Sequence, residues 1–260
     1  HLKRNAFSRW KYKQVDAAIC SSHAIRGMVI EDGIPEDCAF TVHEGVQVDR
    51  IEAVPAEDVC RALWLPPGSP TVGNIAALVP HKGQRYLVDA APTIVRALPD
   101  THILIFGEGE LRPALTRQIR HLGLDHRVRL VGFRPDIIPL LKGLDLFVMS
   151  SITEGLGTSI LDAMAASKAV VGTTAGGIPE AVEHGVTGLL VPPHNPGALA
   201  EAILTLLRDA ALRRRMGEAG LERVRTRFNV DRMVDETLAV YERVARRPRA
   251  ADNGSPPPRS

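Results

Sequence analysis

The chain has 260 residues, with 32 Lys and Arg against 30 Asp and Glu, so it can bury a sizeable core and carries almost no net charge. That balance, with aromatics at 4%, leaves neither an electrostatic nor a base-stacking case for nucleic acid. Cys20, Cys38 and Cys60 lie far apart with no C-x-x-C pair, which argues against a disulfide framework and against zinc, and for reduced thiols in a cytosolic protein. No apolar run approaches the roughly 20 residues that span a bilayer, and no signal peptide is visible. The chain opens on His-Leu-Lys-Arg-Asn without an initiator Met and reads as a piece of something longer.

Residues 1–13 are basic with interspersed aromatics, among them Arg9, Trp10, Lys11 and Tyr12. They suit a membrane surface or anionic ligand, or else a helix with a solvated basic face. Next, residues 15–20 predict a short strand ending at Ser21-Ser22, and 23–32 a helix stopped by Gly33. Residues 39–44 predict a strand ending at Gly45, and 57–65 a helix after Pro55. Pro66-Pro67-Gly68-Ser69-Pro70 is the strongest loop signal and marks a domain boundary.

Beyond it the pattern is regular. Strands are predicted at 72–79, 102–106, 127–131, 144–149, 169–173 and 187–191. They alternate with helices near 83–97, 110–123, 136–142, 157–167, 178–184 and 196–208. This alternation means βαβ units, and hence a doubly wound, Rossmann-like parallel sheet of the α/β class. Runs such as Ile103-Leu104-Ile105-Phe106 fit strands buried on both faces. Ligands of such sheets bind beyond the carboxyl ends of the strands, so function is expected in the loops there. Residues 210–247 read as charged helix with Leu212, Met216, Val224, Phe228, Met233, Leu238 and Tyr241 on apolar faces. From Arg246 the chain is rich in Arg, Pro, Gly and Ser, and a disordered tail is expected.

The stretch 150–166 organises the rest. A strand, a glycine turn with Gly155 and Gly157, and a helix start together aim backbone N–H groups at an anion. Thr158 and Ser159 add hydroxyls, and the acids Glu154 and Asp162 flank the turn, where they can accept hydrogen bonds from sugar or ribose hydroxyls. The competing reading makes Glu154 a helix cap and Asp162 a surface acid. Lys82 stands at a helix start, where the macrodipole disfavours a cation unless a phosphate is bound; otherwise it is a solvated surface lysine. Gly107 and Gly109 either make a tight turn or let a base approach, but Arg112 occupies the third glycine position of a dinucleotide fingerprint. Phe133 and Arg134 end a strand and can line a base pocket, unless Phe133 packs in the core. Glu180, after Gly176-Gly177-Ile178-Pro179, has a structural explanation in its own helix's first turn.

Taken in order, these pieces resemble the donor-binding half of retaining GT-B glycosyltransferases of the glycosyltransferase family 4 (group 1) type. The matching segments are 78–83, 105–109, 131–133, 145–148, 154–157, 162–165, 176–180 and 187–192. The resemblance implies a nucleoside-diphosphate sugar donor of the UDP or GDP type. Lys82 would then neutralise the diphosphate, and Gly107, Gly109, Phe133 and Arg134 would border the base. Glu154 would be the catalytic acid contacting the sugar, the amides of Gly155, Leu156, Gly157 and Thr158 would hold sugar and phosphate, and Asp162 would reach the ribose. Two departures stand out: Asp162 where the family has Glu, and Ala77 where it has Arg.

The implied organisation is a remnant of an acceptor domain and linker at 1–66, a nucleotide-sugar-binding domain at 67–228, a crossing helix at 229–246 and a disordered tail at 247–260. The crossing helix would pack on the absent domain, leaving its apolar face under-covered here. The implied activity is sugar transfer with retention to an acceptor sugar, lipid-linked sugar or small molecule, in cell-envelope or exopolysaccharide synthesis, with no cofactor or metal. The implied location is the cytoplasm or the inner membrane face. A nucleotide-sugar-binding module without transfer, or a GT-B enzyme such as a sugar-nucleotide epimerase, are the alternatives.

Overall fold

The leading segment makes a two-stranded parallel sheet, β1 (Ala18–Cys20) and β2 (Ala39–Thr41), joined by helix α1 (His23–Glu31). The Ser22 side chain caps α1 by accepting from the Ile25 amide at 3.1 Å. The structure, a computed structural model, describes residue 12 and residues 14–246. The expectations for 1–13, Tyr12 apart, and for the tail from 247 lie outside the described residues. Two short helices follow, α2 (Val48–Ala53) and α3 (Val59–Ala62).

The larger sheet has strands β3 (Thr71–Ile75), β4 (His102–Phe106), β5 (Val128–Gly132), β6 (Leu146–Met149), β7 (Val170–Thr173) and β8 (Gly188–Val191). All pairings are parallel, and the order is β5-β4-β3-β6-β7-β8. Between them run α4 (Gln84–Ala97), α5 (Arg112–His121), α6 (Ile137–Gly143), α7 (Thr158–Ala165) and α8 (Ile178–Ala181), and after them α9 (Pro196–Arg208), α10 (Ala210–Arg227) and α11 (Val230–Ala245). Strand alternation splits the core into two faces. Ile103, Ile105, Leu146 and Val148 join the cluster that includes Leu87 and Ile94 of α4 and Ile203 of α9. Leu104, Phe106, Phe147 and Met149 join the opposite cluster with Leu141 of α6 and Ile160 and Met164 of α7. These strand residues are essentially inaccessible, each burial contributing about 1.5–3 kcal/mol. The doubly wound α/β expectation therefore holds.

The differences have local causes. The strand expected over 72–79 stops at Ile75, because the chain leaves the sheet to reach a tight turn at Pro80–Lys82. The buried Gln84 side chain holds the Ala77 carbonyl at 2.9 Å on that path. The strand expected at 39–44 stops at Thr41. Helix 57–65 shrinks to α3, since Trp64 takes a left-handed φ of 54°, and α2 was unforeseen. The helix expected at 178–184 ends at Ala181. The long helical run after 210 breaks at Asn229, whose side chain caps α11 through the Arg232 amide at 2.8 Å while its backbone bridges to Val46. On α11, Val234, Leu238 and Tyr241 are exposed at helical spacing. Cys20 and Cys38 are buried and Cys60 half-buried. Among the described residues no helix is long and apolar enough to cross a membrane.

Candidate functional site

β3 and β6 are neighbours at the centre of the sheet, and the strand order reverses between them. The loops after these two strands therefore meet over the crevice where such sheets bind ligands. Lys82 comes from the first loop and Glu154 from the second. Lys82 Nζ lies 2.6 Å from Glu154 Oε2, with side chains only 19% and 10% exposed. The Ser151 hydroxyl donates to the same carboxylate oxygen at 3.0 Å, and the Gly155 amide donates to the other at 3.2 Å. Lys82 is thus no solvated lysine and Glu154 no helix cap.

Polar side chains that sequence reasoning passed over lock the two loops together. The His81 carbonyl accepts from the Ile152 amide at 2.8 Å, the Ser150 hydroxyl donates to the Lys82 carbonyl at 3.2 Å, and the Thr173 hydroxyl donates to the Ser151 carbonyl at 2.6 Å. The available signal was two consecutive serines closing an otherwise apolar strand, since buried polar groups must find partners. Gly83 is required at its place: it has φ +64° and a Cβ there would lie 2.2 Å from the Ser150 carbonyl oxygen.

Helix α7 starts at Thr158 behind Gly157, whose φ is 90°. Among the described residues the amides of Leu156, Gly157, Thr158 and Ser159 donate to no protein acceptor. They form the kind of helix start that receives an anion. The Thr158 hydroxyl itself turns away and donates to Glu44 at 2.8 Å. Below the turn lies the Gly176–Gly177 segment, with the Gly177 amide donating to the Glu154 carbonyl at 3.2 Å. A Cβ on Gly177 would sit 1.8 Å from the Gly155 carbonyl oxygen, at an unstrained φ of −84°. Gly177→Ala is therefore a purely steric insult, expected to cost about 1–3 kcal/mol in denaturant unfolding. An unchanged midpoint would mean the loop yields freely.

On the other flank of β3 a cavity of about 430 Å3 is lined largely by apolar groups, including Ile75, Ala77, Gly107 and Phe133. Phe133 is 73% exposed, so it is not a core residue. Arg134 lines the cavity too, but its guanidinium is engaged by Asp136 in two bonds of 2.7 and 2.5 Å. That contact, against a small burial effect, holds the Asp136 carboxyl at about 2. Gly107 takes φ +133°, and its missing Cβ clears the Ala76 carbonyl oxygen; Gly109 likewise clears Leu78. Both glycines thus make room for the chain's own backbone, and only Gly107 also faces the cavity. Arg112 bonds Glu108 at 3.0 Å and the Leu130 carbonyl at 3.1 Å.

Asp162 on α7 is half-buried, and among the described residues its carboxylate has no hydrogen-bond or ion-pair partner. Burial pushes it up to about 6 from the usual 3.8. A folded value above the unfolded one means that the folded state favours the protonated form. Ionisation therefore destabilises the fold as pH rises from about 4 to 6, and fully above that. Asp162→Asn is expected to stabilise the ligand-free chain at pH 7, by about 1 kcal/mol after discount for partial exposure, and not at pH 4. Thermal unfolding at the two pH values checks the sign.

The family described as "Glycosyl transferases group 1" matches residues 69–209, the span that builds the six-stranded sheet and both central loops. The chain belongs to this family. Among its relatives, the 2-deoxystreptamine glucosyltransferase of Streptomyces kanamyceticus is 31% identical over 250 residues, covering 94% of this chain and 65% of that protein. The lipopolysaccharide core biosynthesis glycosyltransferase LpsE of Rhizobium meliloti is 30% identical over 227 residues, covering 87% and 64%. Among solved structures, Anabaena Alr3699/HepE in complex with UDP and glucose aligns with a TM-score of 0.79 at 28% identity, covering 88% of this chain and 63% of that one. The chain spans less than two thirds of the length of either curated relative.

Proposed function

We propose that this chain holds the donor site of a retaining glycosyltransferase that takes a sugar from a nucleoside diphosphate and delivers it to an acceptor hydroxyl. The observation that carries the reading is the Lys82–Glu154 pair at the strand-order reversal, beside a row of helix-start amides that have no acceptor among the described residues. Lys82 turns from Glu154 to the arriving diphosphate, and the amides of Leu156 to Ser159 share its charge, while the Gly155 amide, expected to join them, stays on the Glu154 carboxylate. When the bond from the sugar to the diphosphate breaks, negative charge grows on the leaving phosphate, where these donors already point. Glu154, freed of Lys82, takes the sugar hydroxyls. The apolar cavity walled by Phe133 and Gly107 receives the base, and Asp162, which does not line that cavity, accepts from ribose. Ala77 supplies no second cation, so Lys82 bears the electrostatic task without the family's arginine. No metal ligand takes part in this scheme.

The Anabaena structure, described as a complex with UDP and glucose, supports a donor of this kind, UDP- and GDP-sugars being the donors to try first. The lipopolysaccharide relative supports a cell-envelope acceptor, whereas the aminoglycoside relative points to a small molecule. Because Asp162 accepts as a carboxylate, donor affinity falls as pH drops through about 6 and is steady above 7. Calorimetric titration with UDP-, GDP- and ADP-sugars between pH 5 and 8 tests this; pH-independent binding removes Asp162 from the site. Since the chain spans less than two thirds of those relatives' length, a second reading has equal standing here: donor binding without transfer. Product analysis with an acceptor present separates the two.

A further inference from the structure

Glu180 does not serve its own short helix. Its carboxylate reaches into the leading segment, 157 residues away, and accepts from the His23 amide at 2.8 Å and the Ala24 amide at 3.0 Å. It thereby satisfies two orphan donors at the start of α1. The His43 ring lies 2.8 Å from the same carboxylate through Nε2, and His43 follows β2. One side chain thus gathers the ends of both small strands. Burial pushes the Glu180 carboxyl up, but the His43 ring, the two amides and the charge of His23 outweigh it and hold it below the usual value. The backbone behind Glu180 is fastened as well, its carbonyl accepting from Arg223 at 2.9 Å.

The histidines and Glu180 also form a cation-ligand donor set, with one ligand atom from each within 4.8 Å of the others. Charge argues against that use. Arg223, Arg227 and Arg232 line the adjoining cavity of about 550 Å3, and both Glu180 oxygens already accept.

What the clamp holds is the loop that carries Glu154. Gly177, three residues before Glu180, donates to the Glu154 carbonyl, and a Cβ there would strike both Gly155 and the Ser22 side chain. On the leading segment the Ser21 hydroxyl oxygen lies 3.0 Å from where a Gly155 Cβ would stand. Residues 21–22 and 176–177 are therefore the two jaws around residues 154–155, and Glu180 ties one jaw to the other. We infer that Glu180 is a positioning residue for the donor loop, holding the Ser21–Ser22 turn against Gly155 so that Glu154 stays aimed at the crevice; this rests on the donor-site reading above.

The test is amide hydrogen exchange by NMR on the ligand-free 260-residue chain, with Glu180→Ala, Glu180→Gln and, as control, the exposed Glu201→Gln. The Gly177 and Ile160 amides, which donate to Glu154 and Gly157, are expected to exchange at least tenfold faster in Glu180→Ala, and less so in Glu180→Gln, with the control unchanged. If Glu180→Ala does not fold, Glu180→Gln alone decides. Wild-type exchange at Gly177 and Ile160 in the folded variants, with only the His23 and Ala24 amides released, overturns the inference. Affinity for UDP, GDP and ADP, measured in parallel on the wild type, keeps the two readings apart. Binding with unchanged exchange defeats the positioning role alone, and no binding of any nucleotide defeats the donor site, whatever the exchange.

Discussion

Glu154→Gln is expected to lower turnover in the proposed transferase at least tenfold, a loss of about 1.4 kcal/mol in transition-state stabilisation. The substitution keeps shape and removes charge. In the free chain the carboxylate has three partners: Lys82, the Ser151 hydroxyl and the Gly155 amide. Two of them come from its own loop and would keep the side chain aimed once Lys82 leaves for phosphate in the proposed cycle. In the proposed site the carboxylate would then offer a charged acceptor to sugar hydroxyls, and charge-assisted bonds are about twice as strong as neutral ones. Gln offers a neutral acceptor at the same point. Binding of a nucleoside diphosphate without sugar should be kept or tightened, because a neutral Gln no longer competes with phosphate for Lys82. Steady-state rates with the natural donor are the check, and wild-type turnover in the variant removes Glu154 from the chemistry.

Lys82→Met acts earlier in the cycle. Met preserves the length and apolar body of the side chain and deletes its only charge. Nucleoside-diphosphate affinity is expected to fall by at least tenfold, since hydrogen bonds to charged groups contribute about 1.5–3 kcal/mol. The salt dependence of binding should flatten along with it. Stability should also drop, because Glu154 is left 10% exposed without its cation. Removing one partner of a fully buried pair costs about 3–5 kcal/mol, and the retained Ser151 and Gly155 contacts reduce that to roughly 1–2 here. Lys82→Arg keeps the charge but not the compact ammonium that fits 2.6 Å from one carboxylate oxygen, so an intermediate affinity is expected.

The sheet was largely legible because buried parallel strands are continuously apolar and their helices are amphipathic, signals that local sequence carries. β4 begins and ends at the residues expected, and α7 starts one residue from its expected position. The turns that Gly155, Gly157 and Gly176 mark were legible for the same reason. Pairings between distant loops were not. Lys82 and Glu154 are 72 residues apart and Glu180 and His23 are 157 apart, and no periodicity links them. The role of Glu180 was misread as local, since an acid in a helix's first turn has a ready electrostatic explanation. Gly109 was read toward a ligand when its space is taken by the Leu78 carbonyl. Phe133 was left open between core and cavity, and only the end of β5 decides it, by turning the ring outward. Helix α2 was missed because six residues hold less than two turns of pattern.

The most direct test is calorimetric titration of the chain with UDP, GDP and ADP at pH 7.5, repeated with Lys82→Met and Glu154→Gln. One diphosphate should bind at a single site, weaken at least tenfold in Lys82→Met and bind Glu154→Gln at least as tightly as the wild type. Equal affinity in wild type and Lys82→Met, or no binding of any of the three, would contradict a donor site built on the Lys82–Glu154 pair.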